Sequence, residues 1–149
     1  MDWRPQYSGL DRLAGCVWLA RLMDKARRVE NSDSNALGDY LFGKGDYLDA
    51  KVLRFLGVSE LDVRNVVRSE SNDEMAARTI VTRSGKTPAE CEAFNKAFVR
   101  RNGLFLAMLQ ADEDRRPLSL KSKIMKAAYN LLIVPMGKMM YRLHRARES

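Results

Sequence analysis

Four charged residues stand at a spacing that brings chemistry within reach. Arg21, Asp24, Lys25 and Arg28 lie at i, i+3, i+4 and i+7, so a helix carries them on one face. A guanidinium in that setting can grip a carboxylate or phosphate through two parallel hydrogen bonds. Asp24 is surrounded by Arg21, Lys25, Arg27 and Arg28, which keeps its carboxylate ionised and suits it to an ion pair or a ligand clamp rather than to general-acid work. Trp18 on the same face and Tyr40 further along would supply apolar walls. The same residues also read as a salt-bridge hub between the first helix and a loop, with Trp18 and Tyr40 in the core.

Other chemistries lack their residues. His144 is the only histidine, and it lies in the basic C-terminal segment. Cys16 and Cys91 are far apart in sequence, each on an apolar stretch. Zinc takes three or four such ligands, and a Ser-His-Asp triad or Cys-His dyad needs a histidine in place, so neither a metal nor a cofactor is expected. Gly43-x-Gly45 is too short to count as a phosphate loop. The two cysteines read as buried free thiols in a reducing compartment. No apolar run follows the first residues. The apolar stretch Ala127 to Val134 is interrupted by Asn130 and closed by Pro135, short of the roughly 20 residues a bilayer span needs. The expected location is cytoplasmic, at most peripheral at a membrane.

Charge is distributed unevenly. The formal net charge is +7. Residues 1–58 hold 9 Lys and Arg against 8 Asp and Glu, residues 59–112 hold 8 against 8, and residues 113–149 hold 9 against 3. A nearly neutral body therefore precedes a basic segment in which Lys121, Lys123, Lys126, Lys138, Arg142, Arg145 and Arg147 are interleaved with Ile124, Leu131, Leu132, Met139, Met140 and Leu143. A basic amphipathic helix of this kind lies on an anionic membrane surface or in the groove of an acidic protein partner, or packs on its own domain with its lysines in water. Non-specific nucleic-acid binding through the same segment is a further reading.

The elements that must position these residues read as helices. A length of 149 residues and 46% apolar content suit one globular domain with a core of its own. A first helix is predicted over about Asp11 to Arg28, apolar around most of its circumference between Leu13 and Met23. Leu48, Val52, Phe55 and Leu56 define a helix over Tyr47 to Leu56, which Gly57 ends. Ser59-x-x-Asp62, Ser71-x-x-Glu74 and Thr87-Pro88-x-Glu90 mark three helix starts. The last of these helices buries Cys91, Phe94, Ala97 and Phe98 and bends or stops at Asn102-Gly103. Helical segments follow over Ser119 to Val134 and Lys138 to Arg147. No alternating strand pattern persists. Leu53 to Val66 has the spacing of a helix-turn-helix, but Leu53 is bulky where a small residue is wanted, and Glu60 and Asp62 would face DNA phosphates. The fold class is all-α: a compact domain of five to six short helices over residues 1–112, then a basic amphipathic helical extension over 113–149.

The run Leu13 to Arg27, with Leu37-Gly38-Asp39-Tyr40, Phe55-Leu56-Gly57-Val58, Ser71-Asn72-Asp73-Glu74 and Phe94-Asn95, resembles a family of small uncharacterised bacterial proteins, a domain of unknown function with a Leu-x-Arg-Leu-x-Asp-Lys-x-Arg first-helix motif. The resemblance spans about residues 8 to 98. It implies a small helical domain and brings no activity or cofactor with it. It also implies that Arg21, Asp24, Lys25, Tyr40, Asp73 and Asn95 belong to the shared pattern. The candidate ligand-binding set is thus Trp18, Arg21, Asp24, Lys25, Tyr40, Asp73 and Asn95. The leading expectation is a non-enzymatic binding or regulatory domain whose basic segment meets an anionic surface or acidic partner. The alternatives are an enzyme with a polar cleft around Arg21, Asp24 and Lys25, and a nucleic-acid binder. Eight methionines and a broadly apolar first helix suit either a core or a homodimer interface.

Overall fold

The apolar run that starts at Leu13 does not open as a helix. In a computed structural model of the chain, which describes residues 5–31, 37 and 41–113, Arg12–Leu13 (β1) and Cys16–Val17 (β2) form a two-stranded antiparallel hairpin with Arg12 opposite Val17 and Leu13 opposite Cys16. Ala14 (φ 47°) and Gly15 (φ 77°) make the turn. Two positive φ values in a two-residue loop are the geometry that matches strand twist. Asn95 clamps the hairpin from outside: its Oδ1 accepts from Val17 N at 2.8 Å and its Nδ2 donates to Gly15 O at 2.8 Å. The first helix, α1, therefore begins only at Leu19 and runs to Glu30. The long first helix expected from Asp11 is corrected to a hairpin followed by a shorter helix, because a distant amide stabilises the turn.

The remaining elements are a 3-10 turn at Gly43–Gly45, α2 (Tyr47–Leu56), α3 (Glu60–Ser69), α4 (Asp73–Ser84) and α5 (Pro88–Asp112). The described residues are thus predominantly helical, as the sequence indicates. The chain divides into two units, Met1–Leu106 and Ala107–Ser149, and the hairpin and α1 to α4 all belong to the first. The segments expected as helices over 119–134 and 138–147 lie outside the described residues.

Local chemistry explains the boundaries. Asp46 caps α2, accepting from Leu48 N at 2.8 Å and Asp49 N at 3.1 Å, and Gly57 ends it with φ 66°. Ser59 and Asp62 form a reciprocal capping box at α3. The cap of α4 is Asn72, whose side chain accepts from Met75 N at 3.0 Å, not Ser71 as expected. Asparagine caps as well as serine does, and Glu74, the other half of the expected box, instead accepts from Arg78 Nε at 3.0 Å and Ala14 N at 3.3 Å. Thr87 and Glu90 bond reciprocally ahead of α5. That helix continues through Gly103. The roughly 1 kcal/mol cost of a mid-helix glycine is offset by its flanks: Phe98 and Leu106 are buried, and Asn102 ties Phe98 O to Lys51.

The core forms where α1 packs on α3 and α4. Leu19, Leu22, Met23 and Ala26 meet a layer of Val63, Val66, Val67, Ala76, Ala77 and Ile80, all buried. A 12-residue helix is marginal alone in water, so this burial, at about 1.5–3 kcal/mol for each large side chain, is what holds α1. Among the described residues no helix is long and apolar enough to cross a membrane.

Candidate functional site

The polar residues of α1 turn inward rather than into solvent. Arg21 and Lys25, one turn apart, are buried, while Asp24 and Arg28 are half-buried. Lys25 is fully buried, and its Nζ donates to Asp49 Oδ1 at 2.6 Å, Leu41 O at 2.9 Å and Asp46 Oδ2 at 3.1 Å. These are three acceptors for three N–H bonds. Asp49 is equally well supplied: Oδ1 also accepts from Trp18 Nε1 at 2.6 Å, and Oδ2 from Gly43 N at 2.9 Å. Burial pushes the Asp49 carboxyl up to about 6, against the neighbouring Lys25 ammonium, which pulls it down. Below the cations lies the Trp18 ring, with Arg21 Cζ 5.2 Å and Lys25 Nζ 5.6 Å from its centroid. Trp18 takes a left-handed φ of 69° at the start of α1. Gly9 sits so close beneath it that a Cβ would come within 2.7 Å of Trp18 Cζ3.

A second cluster surrounds Arg27. Its guanidinium donates from Nε to Asp73 Oδ1 at 2.5 Å, from Nη1 to Val67 O at 3.0 Å and from Nη2 to Glu70 O at 2.8 Å. One side chain thus satisfies carbonyls at the end of α3 and binds the first residue of α4. Asp73 also accepts from Tyr7 Oη at 3.1 Å, and burial followed by that carboxylate raises the Tyr7 phenol. Glu30, the last residue of α1, accepts from Arg64 Nε and, at 2.9 and 2.6 Å, from Arg68 Nε and Nη2. The two guanidiniums hold its carboxyl below the usual range.

Of the residues singled out by sequence, Trp18, Arg21 and Lys25 come together. Asp24 accepts from Gln6 N at 2.5 Å, and Arg21 Nη1 donates to Tyr7 O at 3.3 Å, so both help hold the N-terminal segment on α1. Asp73 belongs to the Arg27 cluster, and Asn95 to the hairpin. Tyr40 lies outside the described residues, as do Lys121, Lys123, Lys126, Lys138, Arg142, Arg145 and Arg147. Sequence reasoning passed over Asp46, Asp49 and Arg27 as site residues. The signal for the first two was Asp46-x-x-Asp49 at a helix start, an arrangement that also serves as an ordinary cap.

Residues 4–119 match a family described as a domain of unknown function, DUF5069. The chain belongs to that family. Of the α1 residues in the resemblance, Lys25 is the one that joins the buried network with Asp49, while Asp24 holds the N-terminal segment and Arg27 the second cluster. No curated protein and no solved structure matches the chain. Among the described residues no group of His, Cys, Asp and Glu is placed to hold a metal ion. Cys16 and Cys91 are buried and free, and burial pushes the Cys16 thiol up to about 12 and raises Cys91 too, which favours the thiol over the thiolate at both.

Proposed function

We propose that this is a non-enzymatic helical binding domain whose basic C-terminal segment attaches it to an anionic phospholipid surface. The observation that carries the reading is the partition of charge: 9 basic against 3 acidic residues over 113–149, after a body close to neutral. Each basic side chain near an anionic leaflet adds about 1 kcal/mol, and the interleaved Ile124, Leu131, Leu132, Met139 and Leu143 add an apolar face. The network of α1 supports a scaffold role for the motif. Lys25 has every N–H bond engaged inside the protein and presents nothing to a substrate. A scaffold of this kind holds elements in place and leaves binding to other surfaces.

The test is co-sedimentation of the full chain with vesicles of phosphatidylcholine, with and without phosphatidylglycerol, across a salt series. A full-chain variant carrying Lys138→Gln, Arg142→Gln, Arg145→Gln and Arg147→Gln is compared. The reading expects binding only to the anionic vesicles, weakening with salt, and at least a hundredfold loss in the variant, within the roughly 4 kcal/mol those four charges supply. Duplex DNA is added as competitor. Equal binding of variant and parent, or binding to DNA but not to anionic vesicles, would sink it.

A further inference from the structure

Two helix faces meet in a cleft that the buried network does not use. On α2, Lys51, Arg54 and Phe55 stand at i, i+3 and i+4. On α5, Phe94, Phe98 and Arg101 stand at i, i+4 and i+7. Together they line a space of about 300 Å³, the lower end of the range for small-ligand pockets. Its walls are aromatic. The Phe55 and Phe94 rings stack with centroids 4.1 Å apart and planes 6° from parallel, and Phe94 and Phe98 are 5.4 Å apart. Ala97 lines the same space.

The rim carries positive charge and no lining carboxylate. Lys51 Nζ donates to Asn102 Oδ1 at 2.9 Å and lies 4.0 Å from the Tyr47 ring centroid, so a neutral amide and a ring hold it. Arg54 and Arg101 are exposed, and neither has a carboxylate partner among the described residues. Lys86 Nζ lies 5.3 Å from the Phe55 ring centroid but is paired with Glu90 Oε1 at 3.6 Å, so the unmatched charge of the rim rests on Arg54 and Arg101. Apolar walls with a cationic rim select a ligand that is apolar at one end and anionic at the other. A neutral hydrophobe leaves the cations unmatched, and a bare inorganic anion leaves the rings unmatched.

We propose that the α2–α5 cleft is a binding site for a small amphipathic anion, a carboxylate or phosphate monoester joined to an aromatic or short aliphatic body. The body inserts against Phe94 and Phe98, and the anionic head is held between Arg54 and Arg101.

The proposal is tested on the full chain by NMR titration of backbone amides with phenyl phosphate and octanoate, alongside inorganic phosphate and benzyl alcohol. The expected result is saturable shifts at residues around Arg54, Ala97 and Arg101 for the two amphipathic anions, at least tenfold tighter than for either control. Which of the two binds more tightly separates a phosphate ligand from a carboxylate one. In a variant carrying Arg54→Gln and Arg101→Gln, two exposed positions, affinity falls at least tenfold. In Ala97→Phe, which fills the cleft and leaves the charges in place, binding of both anions is lost. Equal affinity for phenyl phosphate and inorganic phosphate, an unchanged affinity in either variant, or no saturable shift at millimolar ligand overturns the assignment. The four-charge variant of the C-terminal segment retains cleft binding, so failure on vesicles and failure here are told apart.

Discussion

Replacing Lys25 by methionine isolates the charge of the buried pair, because the two side chains have similar length and shape. The substitution removes three hydrogen bonds, to Asp49, Leu41 O and Asp46. It leaves the Asp49 carboxylate buried without its ammonium. Breaking a buried ion pair from one side costs about 3–5 kcal/mol. Asp49 keeps the N–H donors of Trp18 and Gly43, so the lower end, about 3 kcal/mol, is expected. For a chain of this size that corresponds to a fall in Tm of about 6–12 °C. Urea unfolding followed by circular dichroism measures it, with an unchanged m-value confirming that compactness is kept. Adding Asp49→Asn removes the buried carboxyl left without its partner, so the double variant loses less than the sum of the two singles, by about 1–3 kcal/mol. A loss under about 1 kcal/mol in Lys25→Met, or strict additivity in the double variant, refutes the view that this pair ties α1 to the start of α2.

The same geometry sets three further outcomes. The folded-state pKa of Asp49 is raised, so the native protein binds more protons than the unfolded chain between about pH 4 and 6. Its contribution to stability is therefore full below the unfolded value and is lost as pH rises through about 6. Relative to parent, Asp49→Asn should thus become more destabilising as pH falls from 7 to 5, and a flat difference in urea midpoints over that window contradicts the assignment. Arg27→Lys keeps the charge but loses the fork that reaches Asp73, Val67 O and Glu70 O together, and thermal unfolding should register a loss of about 2 kcal/mol; stability equal to parent would show that the ammonium suffices. Ala14→Asn places the preferred asparagine ahead of Gly15 in a turn whose φ is 47°, and calorimetry should show a gain of about 0.5–1 kcal/mol; destabilisation would mean that the turn is not of this type.

Where a boundary is set by neighbours in sequence, it was legible. Gly57, Ser59 with Asp62, and Thr87 with Pro88 and Glu90 place the end of α2 and the starts of α3 and α5 because each cap closes within four residues. The hairpin was not legible, since Ala14 has no intrinsic preference for a positive φ. Its conformation depends on Asn95, 80 residues from Gly15. The polar cluster was half legible. Spacing put Arg21, Asp24 and Lys25 on one side of a helix, but whether that side faces water or core depends on carboxylates elsewhere. Asp49, 24 residues on from Lys25, decides it. Asn95 was attached to the same set by resemblance, and lies instead at the hairpin because both of its amide atoms bond the backbone there.

A near-neutral body raises the question of how Arg54 and Arg101 at the α2–α5 cleft come to lack carboxylate partners among the described residues. Several acidic side chains engage backbone N–H groups, while Glu30, Asp46, Asp49, Asp73, Glu74, Glu90 and Glu92 pair with cations elsewhere in the fold. Asp11 accepts from Ser8 N, Asp24 from Gln6 N, Asp62 from Ser59 N, Glu70 from Asn72 N and Glu90 from Thr87 N. The cap bonds also draw their carboxyls below the usual range, as at Asp62 and Glu90. None of these carboxylates lines the α2–α5 cleft. Arg54 and Arg101 are then left exposed, with no carboxylate partner among the described residues. The basic rim of the aromatic cleft thus follows from where the carboxylates are engaged: at turns and helix ends, and in ion pairs elsewhere in the fold.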